Sequence, residues 1–153
     1  MKQMPPVSKF MTPMPHTIAF DATILNALQI MSEHRIRHLP VLEGKTLVGV
    51  LSDRDVKLAS SFSGALGAEA LTVGAVMSLD PFAVLPEASL DQVAADMAEN
   101  KYGCAVVQQP NGKIVGIFTA NDALGVLALE LGAFFKQPLG DYGVKTHLQS
   151  QAI

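Results

Sequence analysis

Apolar residues follow two rhythms along this chain, and the rhythms come in the same order twice. Ile24, Leu28 and Met31 fall at helical spacing, as do Leu90, Val93, Ala94 and Met97. Each set predicts an amphipathic helix with a capping signal at its start. Two short apolar runs follow each helix. They are Leu39 to Leu42 and Leu47 to Leu51, then Ala105 to Val107 and Ile114 to Phe118. Their lengths suit strands, and Glu43-Gly44-Lys45 and Asn111-Gly112 between them suit hairpin turns. A second helix is predicted from near Asp53 and from near Ala120. Ahead of each set lies an extended, Pro-rich lead-in, with Pro13 and Pro15 in one copy and Pro81 and Pro86 in the other. One unit therefore reads β-α-β-β-α.

Residue identities repeat as well as patterns. Met11-Thr12 matches Met77-Ser78, Asp21-Ala22-Thr23-Ile24 matches Glu87-Ala88-Ser89-Leu90, and Met31-Ser32-Glu33 matches Met97-Ala98-Glu99. Each pair is separated by 66 positions (77 minus 11, 87 minus 21, 97 minus 31). Gly49 matches Gly116 at 67, so one residue is inserted, and Pro110-Asn111-Gly112 is where a turn absorbs it. A unit of about 60 residues makes a marginal core alone, so two units are expected to pack together. The reading is a mixed α/β (α+β) fold of two tandem β-α-β-β-α units packed as a pseudo-symmetric pair. The first unit is expected over residues 7–66 and the second over 67–135. Residues 136–153 fit neither copy and read as a C-terminal tail. Ser60-Ser61-Phe62-Ser63-Gly64-Ala65-Leu66-Gly67 reads as a flexible linker.

Composition narrows the class. The 153 residues are 49% apolar, which is ample for a core. Only 16% are charged, which points to surface buried against a partner, most simply a second copy. Leu124, Leu127, Leu131 and Phe134-Phe135 form an apolar patch on the last helix, expected either to pack on the sheet or to form a homodimer seam. The net charge of -3 argues against a nucleic-acid binder. A single cysteine, Cys104, excludes an intrachain disulfide and a Cys-rich zinc site, and its plain role is a small core hydrophobe. No stretch reads as a signal peptide or a membrane span, so a cytoplasmic protein is expected. His34 and His38 are four apart, but the segment passes from helix to strand between them, so no metal site is expected.

The chemistry lies where the second strand of each unit runs into the second helix. Copy one reads Gly49-Val50-Leu51-Ser52-Asp53-Arg54-Asp55, and copy two reads Gly116-Ile117-Phe118-Thr119-Ala120-Asn121-Asp122. Both are Gly-x-x-(Ser/Thr)-x-x-Asp. Two interpretations stand side by side. Ser52 with Asp55, and Thr119 with Asp122, have the spacing of a helix capping box with Asp in place of Glu. The same geometry suits a ligand: a helix start attracts phosphate, and a carboxylate has two oxygens to accept from two ribose hydroxyls. The preceding glycine is expected to let that ligand approach the backbone. No nucleophile with a base, and no P-loop, accompanies the motif, so no enzyme is expected and no catalytic cofactor.

The Met11-Thr12-Pro13 and Met77-Ser78 lead-ins, the Arg37-His38-Leu39-Pro40-Val41 strand and both motifs together resemble a tandem pair of cystathionine β-synthase (CBS) domains, a Bateman module. The resemblance covers residues 7 to 130. It implies clefts between two domains that bind AMP, ADP or ATP, with or without Mg, or another adenosyl ligand such as S-adenosylmethionine. It also implies homodimers and a regulated protein partner. In that family the motif of one copy faces the lead-in and first strand of the other. One cleft would then combine Ser52, Arg54 and Asp55 with Phe82, Tyr102, Gly103 and Cys104. The other would combine Thr119, Asn121 and Asp122 with His16, Ile36, Arg37 and His38. Asp55 and Asp122 would hold ribose, Ser52 and Thr119 would touch ribose or phosphate, and Arg37, His38 and Arg54 would neutralise phosphate. Copy two departs from the pattern, with Gly103-Cys104-Ala105-Val106 where copy one has Arg37-His38-Leu39-Pro40. The two clefts are therefore expected to differ.

Overall fold

A computed structural model describes residues 3–62, 64, 67 and 70–135. These residues form seven strands and five α-helices, with the short 3-10 turn Val7–Lys9 at the start. The chain divides into two compact units that cut across the sequence repeats. One holds Pro15–Pro81 with Asn111–Ile114. The other holds, among the described residues, 3–14, 82–110 and 115–135. No helix among the described residues is long and apolar enough to cross a membrane.

In the Pro15–Pro81 unit, β2 (Ile18–Ala19) lies parallel to β3 (His38–Glu43), with α1 (Ile24–His34) as the crossover between them. The hairpin partner of β3 is β4 (Thr46–Ser52), which runs antiparallel. Gly44 turns the hairpin at φ 61, a left-handed backbone that glycine adopts freely. α1 starts at Thr23, whose hydroxyl accepts the Asn26 N–H at 3.1 Å. It ends at Arg35 in the left-handed region, φ 53, where the cap N–H returns to the Met31 carbonyl. The apolar stripe of α1 supplies Ile24, Ala27 and Met31, which pack with Leu39, Val41 and Leu51 of the strands and Val56 of α2 (Asp53–Phe62). The core closes with Val73 of α3 (Val73–Val76), a short helix with no counterpart in the sequence pattern.

The other unit repeats this plan as β5 (Ala83–Val84), α4 (Leu90–Asn100), β6 (Cys104–Gln108), β7 (Ile114–Thr119) and α5 (Ala120–Phe135). β5 and β6 are parallel, and the sheet order is β1-β7-β6-β5. β1 (Thr12–Pro13) is the lead-in of the first repeat, laid antiparallel along the second repeat's β7, Thr12 opposite Ile117. The reciprocal exchange also occurs. The second repeat's lead-in bridges the first repeat's β4, where Ser78 and Val50 exchange two backbone hydrogen bonds of 2.9 and 3.1 Å. Each repeat thus completes the other's sheet, which is why the compact units and the repeats are offset.

Two expectations change here. Ser60, Ser61 and Phe62 belong to α2 and not to a linker: the Ser60 and Ser61 hydroxyls donate to the Val56 and Lys57 carbonyls at 2.8 and 2.9 Å. The rest of the expected linker at 63, 65 and 66, and the tail 136–153, lie outside the described residues. On α5 the face turned to the core is Ala123 and Val126, with Gly125 buried. Leu124, Leu127, Leu131, Phe134 and Phe135 are exposed, Leu124 by 63%, so they do not pack on the sheet.

Candidate functional site

The Gly49–Asp55 motif spans the joint between β4 and α2. Ser52 is the last residue of the strand, and its hydroxyl accepts the Asp55 N–H at 3.1 Å. The helix start is tied to the neighbouring strand, because the Asp53 N–H donates to the Arg37 carbonyl at 2.8 Å. Ser52 sits opposite His38 in the β3–β4 ladder. Two short segments thereby meet at one end of one sheet, Arg37 and His38 with Ser52, Asp53 and Asp55. Lys57 pairs with Asp53 at 2.8 Å, the one ion pair among the described residues. The guanidinium groups of Arg37 and Arg54 are exposed and outside that pair. Half-buried His38 is held below the ordinary histidine range, first by desolvation and then by the charge of Arg37. Asp55 and Asp53 oppose the shift.

The second motif spans the joint between β7 and α5 and closes a complete capping box. Thr119 Oγ1 accepts the Asp122 N–H at 3.2 Å, and Asp122 Oδ2 accepts the Thr119 N–H at 2.9 Å. The tie to the neighbouring strand is preserved, with the Ala120 N–H donating to the Gly103 carbonyl at 3.0 Å. One oxygen of Asp122 is thus committed to the cap, whereas Ser52 caps Asp55 in one direction only. Tyr102 stacks on Phe82 with ring centroids 5.0 Å apart. The Phe82 carbonyl accepts the Val106 N–H at 2.8 Å, which fixes the segment beside β6. Cys104 is buried, and desolvation pushes its thiol up to about 12, so it stays neutral.

His16, Ile36, Arg37, His38, Ser52, Arg54 and Asp55 belong to the Pro15–Pro81 unit. Phe82, Tyr102, Gly103, Cys104, Thr119, Asn121 and Asp122 belong to the other. His34, four residues from His38 in the sequence, meets a different histidine. Its ring stacks on His16 at 3.7 Å, joining the end of α1 to the segment before β2. No spacing rule connects those two positions. The described residues contain no group of three or more His, Cys, Asp or Glu side chains that could hold a metal ion.

The motif glycines do something other than expected. A Cβ on Gly49 would lie 2.6 Å from Met77 Sδ and 2.7 Å from the Ser78 carbonyl oxygen. A Cβ on Gly116 would run into the side chain of Met11. The empty space at each glycine is filled by the methionine of the exchanged lead-in, not left open to a ligand.

The CBS domain family model matches residues 7–61 and 73–129. The CBS domain-containing protein YhcV of Bacillus subtilis is 32% identical over 120 residues, 78% of this chain and 83% of that protein. An inosine-5'-monophosphate dehydrogenase of Korarchaeum cryptofilum is 33% identical over 106 residues, and this chain spans only 21% of it. Among solved structures, the AcuB protein of Vibrio cholerae is 30% identical with a TM-score of 0.74, covering 90% of this chain and 100% of that one. CBSX2, solved in complex with AMP, is 27% identical with a TM-score of 0.68, covering 83% of this chain and 98% of that one.

Proposed function

The chain belongs to the CBS domain family, and from that membership we propose that it is a regulatory module that binds adenine nucleotides, AMP, ADP or ATP, with or without Mg. Ligand occupancy biases two conformations and is read by a protein partner, so the proposal contains no catalytic step. The observation that carries most weight is the pair of strand-to-helix joints, each with a motif aspartate in the first turn of its helix. Beside one of them, Arg37 and Arg54 stand outside any ion pair among the described residues. Asp55 and Asp122 take the ribose hydroxyls, and Ser52 and Thr119 lie against ribose or phosphate. In one site Ser52, Arg54 and Asp55 act with His16, Ile36, Arg37 and His38, in place of the crossed grouping expected from the sequence, because the Asp53 N–H bonds the Arg37 carbonyl and Ser52 stands opposite His38. In the other, Thr119, Asn121 and Asp122 act with Phe82, Tyr102, Gly103 and Cys104, where the Ala120 N–H bonds the Gly103 carbonyl. Arg37 and His38 make the first site the better one for charged phosphate. The AMP complex of CBSX2 supports the choice of ligand class. The exposed leucines of α5 support a homodimer formed along that helix, and the cytoplasm is the proposed compartment.

One observation favours a second reading, in which the motifs are helix caps and nothing binds. Ser52 and Thr119 already spend their hydroxyl oxygens on backbone N–H groups. Thermal unfolding with AMP separates the two. A nucleotide at about a hundred times its dissociation constant stabilises the fold by about 2.7 kcal/mol, and a bystander adds nothing. Calorimetry on Asp122→Ala should then lose binding at one site and keep it at the other. Full stoichiometry with unchanged affinity would withdraw Asp122 from the ligand. No stabilisation by AMP, ADP, ATP or S-adenosylmethionine would leave the cap reading standing.

A further inference from the structure

We infer that an anionic ligand at the site served by Arg37 and His38 binds with uptake of a proton at His38, whereas the site served by Gly103 and Cys104 binds without one. The inference rests on the nucleotide reading above and adds to it a pH-dependence of one site only.

His38 and Cys104 are equivalent residues, separated by the repeat distance of 66 (104 minus 38), and each opens its strand. They differ in what they can do at neutral pH. The thiol is buried and neutral, and it neither gains nor loses a proton there. The imidazole is half-buried between charges of both signs. Arg37 precedes it, and Ser52 stands opposite it in the β3–β4 ladder, so the first turn of α2, which carries Asp53 and Asp55 and bonds the Arg37 carbonyl through the Asp53 N–H at 2.8 Å, begins beside it. Lys57 neutralises Asp53. β2 and β4 carry no charged residue. On α1 the titratable groups are exposed Glu33 and exposed His34, the latter stacked on His16.

In the free site, desolvation and Arg37 favour the neutral ring. A phosphate beside Arg37 and His38 reverses that balance. It cancels the Arg37 repulsion and accepts a hydrogen bond from the imidazolium, so the charged form gains. The pKa of His38 is then higher in the complex than in the free protein. Affinity rises as pH falls through the bound-state pKa, and it levels off below the free-state pKa. Each unit of difference is worth about tenfold in affinity. Nothing comparable occurs at Cys104.

Two measurements on the full chain test this with AMP as the probe. The first is the NMR titration of the His38 ring, assigned by its loss in His38→Gln, with and without AMP. Its pKa should rise by roughly half a unit or more in the complex. The second is calorimetry between about pH 6 and pH 8 on wild type and His38→Gln. The ionisation of AMP itself cancels in the ratio of the two affinities, and that ratio should grow several-fold as pH falls. AMP binding with an unmoved His38 titration, or with a constant ratio, overturns the inference and leaves the nucleotide reading intact. A wild-type protein that binds no AMP at any pH overturns the nucleotide reading itself and the inference with it.

Discussion

Replacing Gly49 by alanine adds one methyl group where the second lead-in crosses β4. The new Cβ would stand 2.6 Å from Met77 Sδ and 2.7 Å from the Ser78 oxygen, and ordinary contact begins near 3.4 Å. The thioether can swing aside, but the carbonyl cannot easily follow. Ser78 is held to Val50 by hydrogen bonds of 2.9 and 3.1 Å, and the missing 0.7 Å (3.4 minus 2.7) must come out of that bridge. Overpacking of this kind costs about 1–3 kcal/mol, and a weakened backbone hydrogen bond adds about 1 kcal/mol. The stiffer unfolded chain returns about 0.4–1 kcal/mol. The net loss for Gly49→Ala is therefore about 2 kcal/mol, read as a lower urea midpoint at unchanged slope. Adding Met77→Ala should recover only part of it, because the Ser78 oxygen remains in the way. Gly116→Ala differs, since the three atoms nearest to its Cβ all belong to the Met11 side chain. Its loss should be smaller, and the double mutant with Met11→Ala should show strong favourable coupling. If the glycine instead served ligand approach, Gly49→Ala would spare the unliganded protein and weaken nucleotide binding. An unliganded midpoint within experimental error of wild type would falsify the packing account.

Two further outcomes follow from the helix caps and the buried thiol. Thr23→Ala should cost about 1 kcal/mol in urea unfolding, because it removes the acceptor for the Asn26 N–H. Ser89→Ala should cost less, because Ser89 bonds the Asp91 carboxylate and caps no backbone group. Equal losses would refute the distinction. Cys104 should resist alkylation in the native protein at neutral pH and react freely in urea. Its folded pKa of about 12 lies above the ordinary 9.0, so the unfolded state releases its proton first. The thiol's contribution to stability should thus be constant below pH 9 and be lost between pH 9 and 12, a decline that Cys104→Ala removes. Rapid labelling of the native thiol would contradict the burial.

The hairpin strands β3, β4, β6 and β7 and the long helices were legible because their apolar runs are long enough to be seen. Val7–Lys9 and Val73–Val76 were not, since three or four residues carry no period. The left-handed ends of α1 and α4 were hidden because Arg35 and Lys101 stand where glycine or asparagine is the usual sign. Ser60 and Ser61 looked like linker, yet a serine hydroxyl can return to the carbonyl four residues back and let a helix continue. On α5 the pattern misled for the opposite reason. Its sequence is apolar almost all the way round, so no polar face fixes its phase, and Leu124 and Leu127 could not be told from Ala123 and Val126. At the candidate site, the motifs were legible because they recur at matching joints. The His16–His34 and Phe82–Tyr102 stacks were not, because each brings together residues about 20 positions apart, across most or all of a helix.

The seven-residue motif therefore separates into parts that answer to different demands. Its glycine accommodates the methionine of an exchanged lead-in, and its hydroxyl satisfies a backbone N–H at a helix start. Both serve folding whether or not anything binds. The carboxylate is the part with capacity left over, and the two copies are unequal in it. Asp122 spends one oxygen closing its capping box. Asp55 lies near His38, with Arg37 pinned close by through its carbonyl. A match to the motif by itself therefore argues for this fold more strongly than for any ligand. The discriminating residues are the ones that the repeat does not preserve, Arg37 and His38 against Gly103 and Cys104. Substitutions there should change ligand preference while leaving the lead-in exchange and both caps in place.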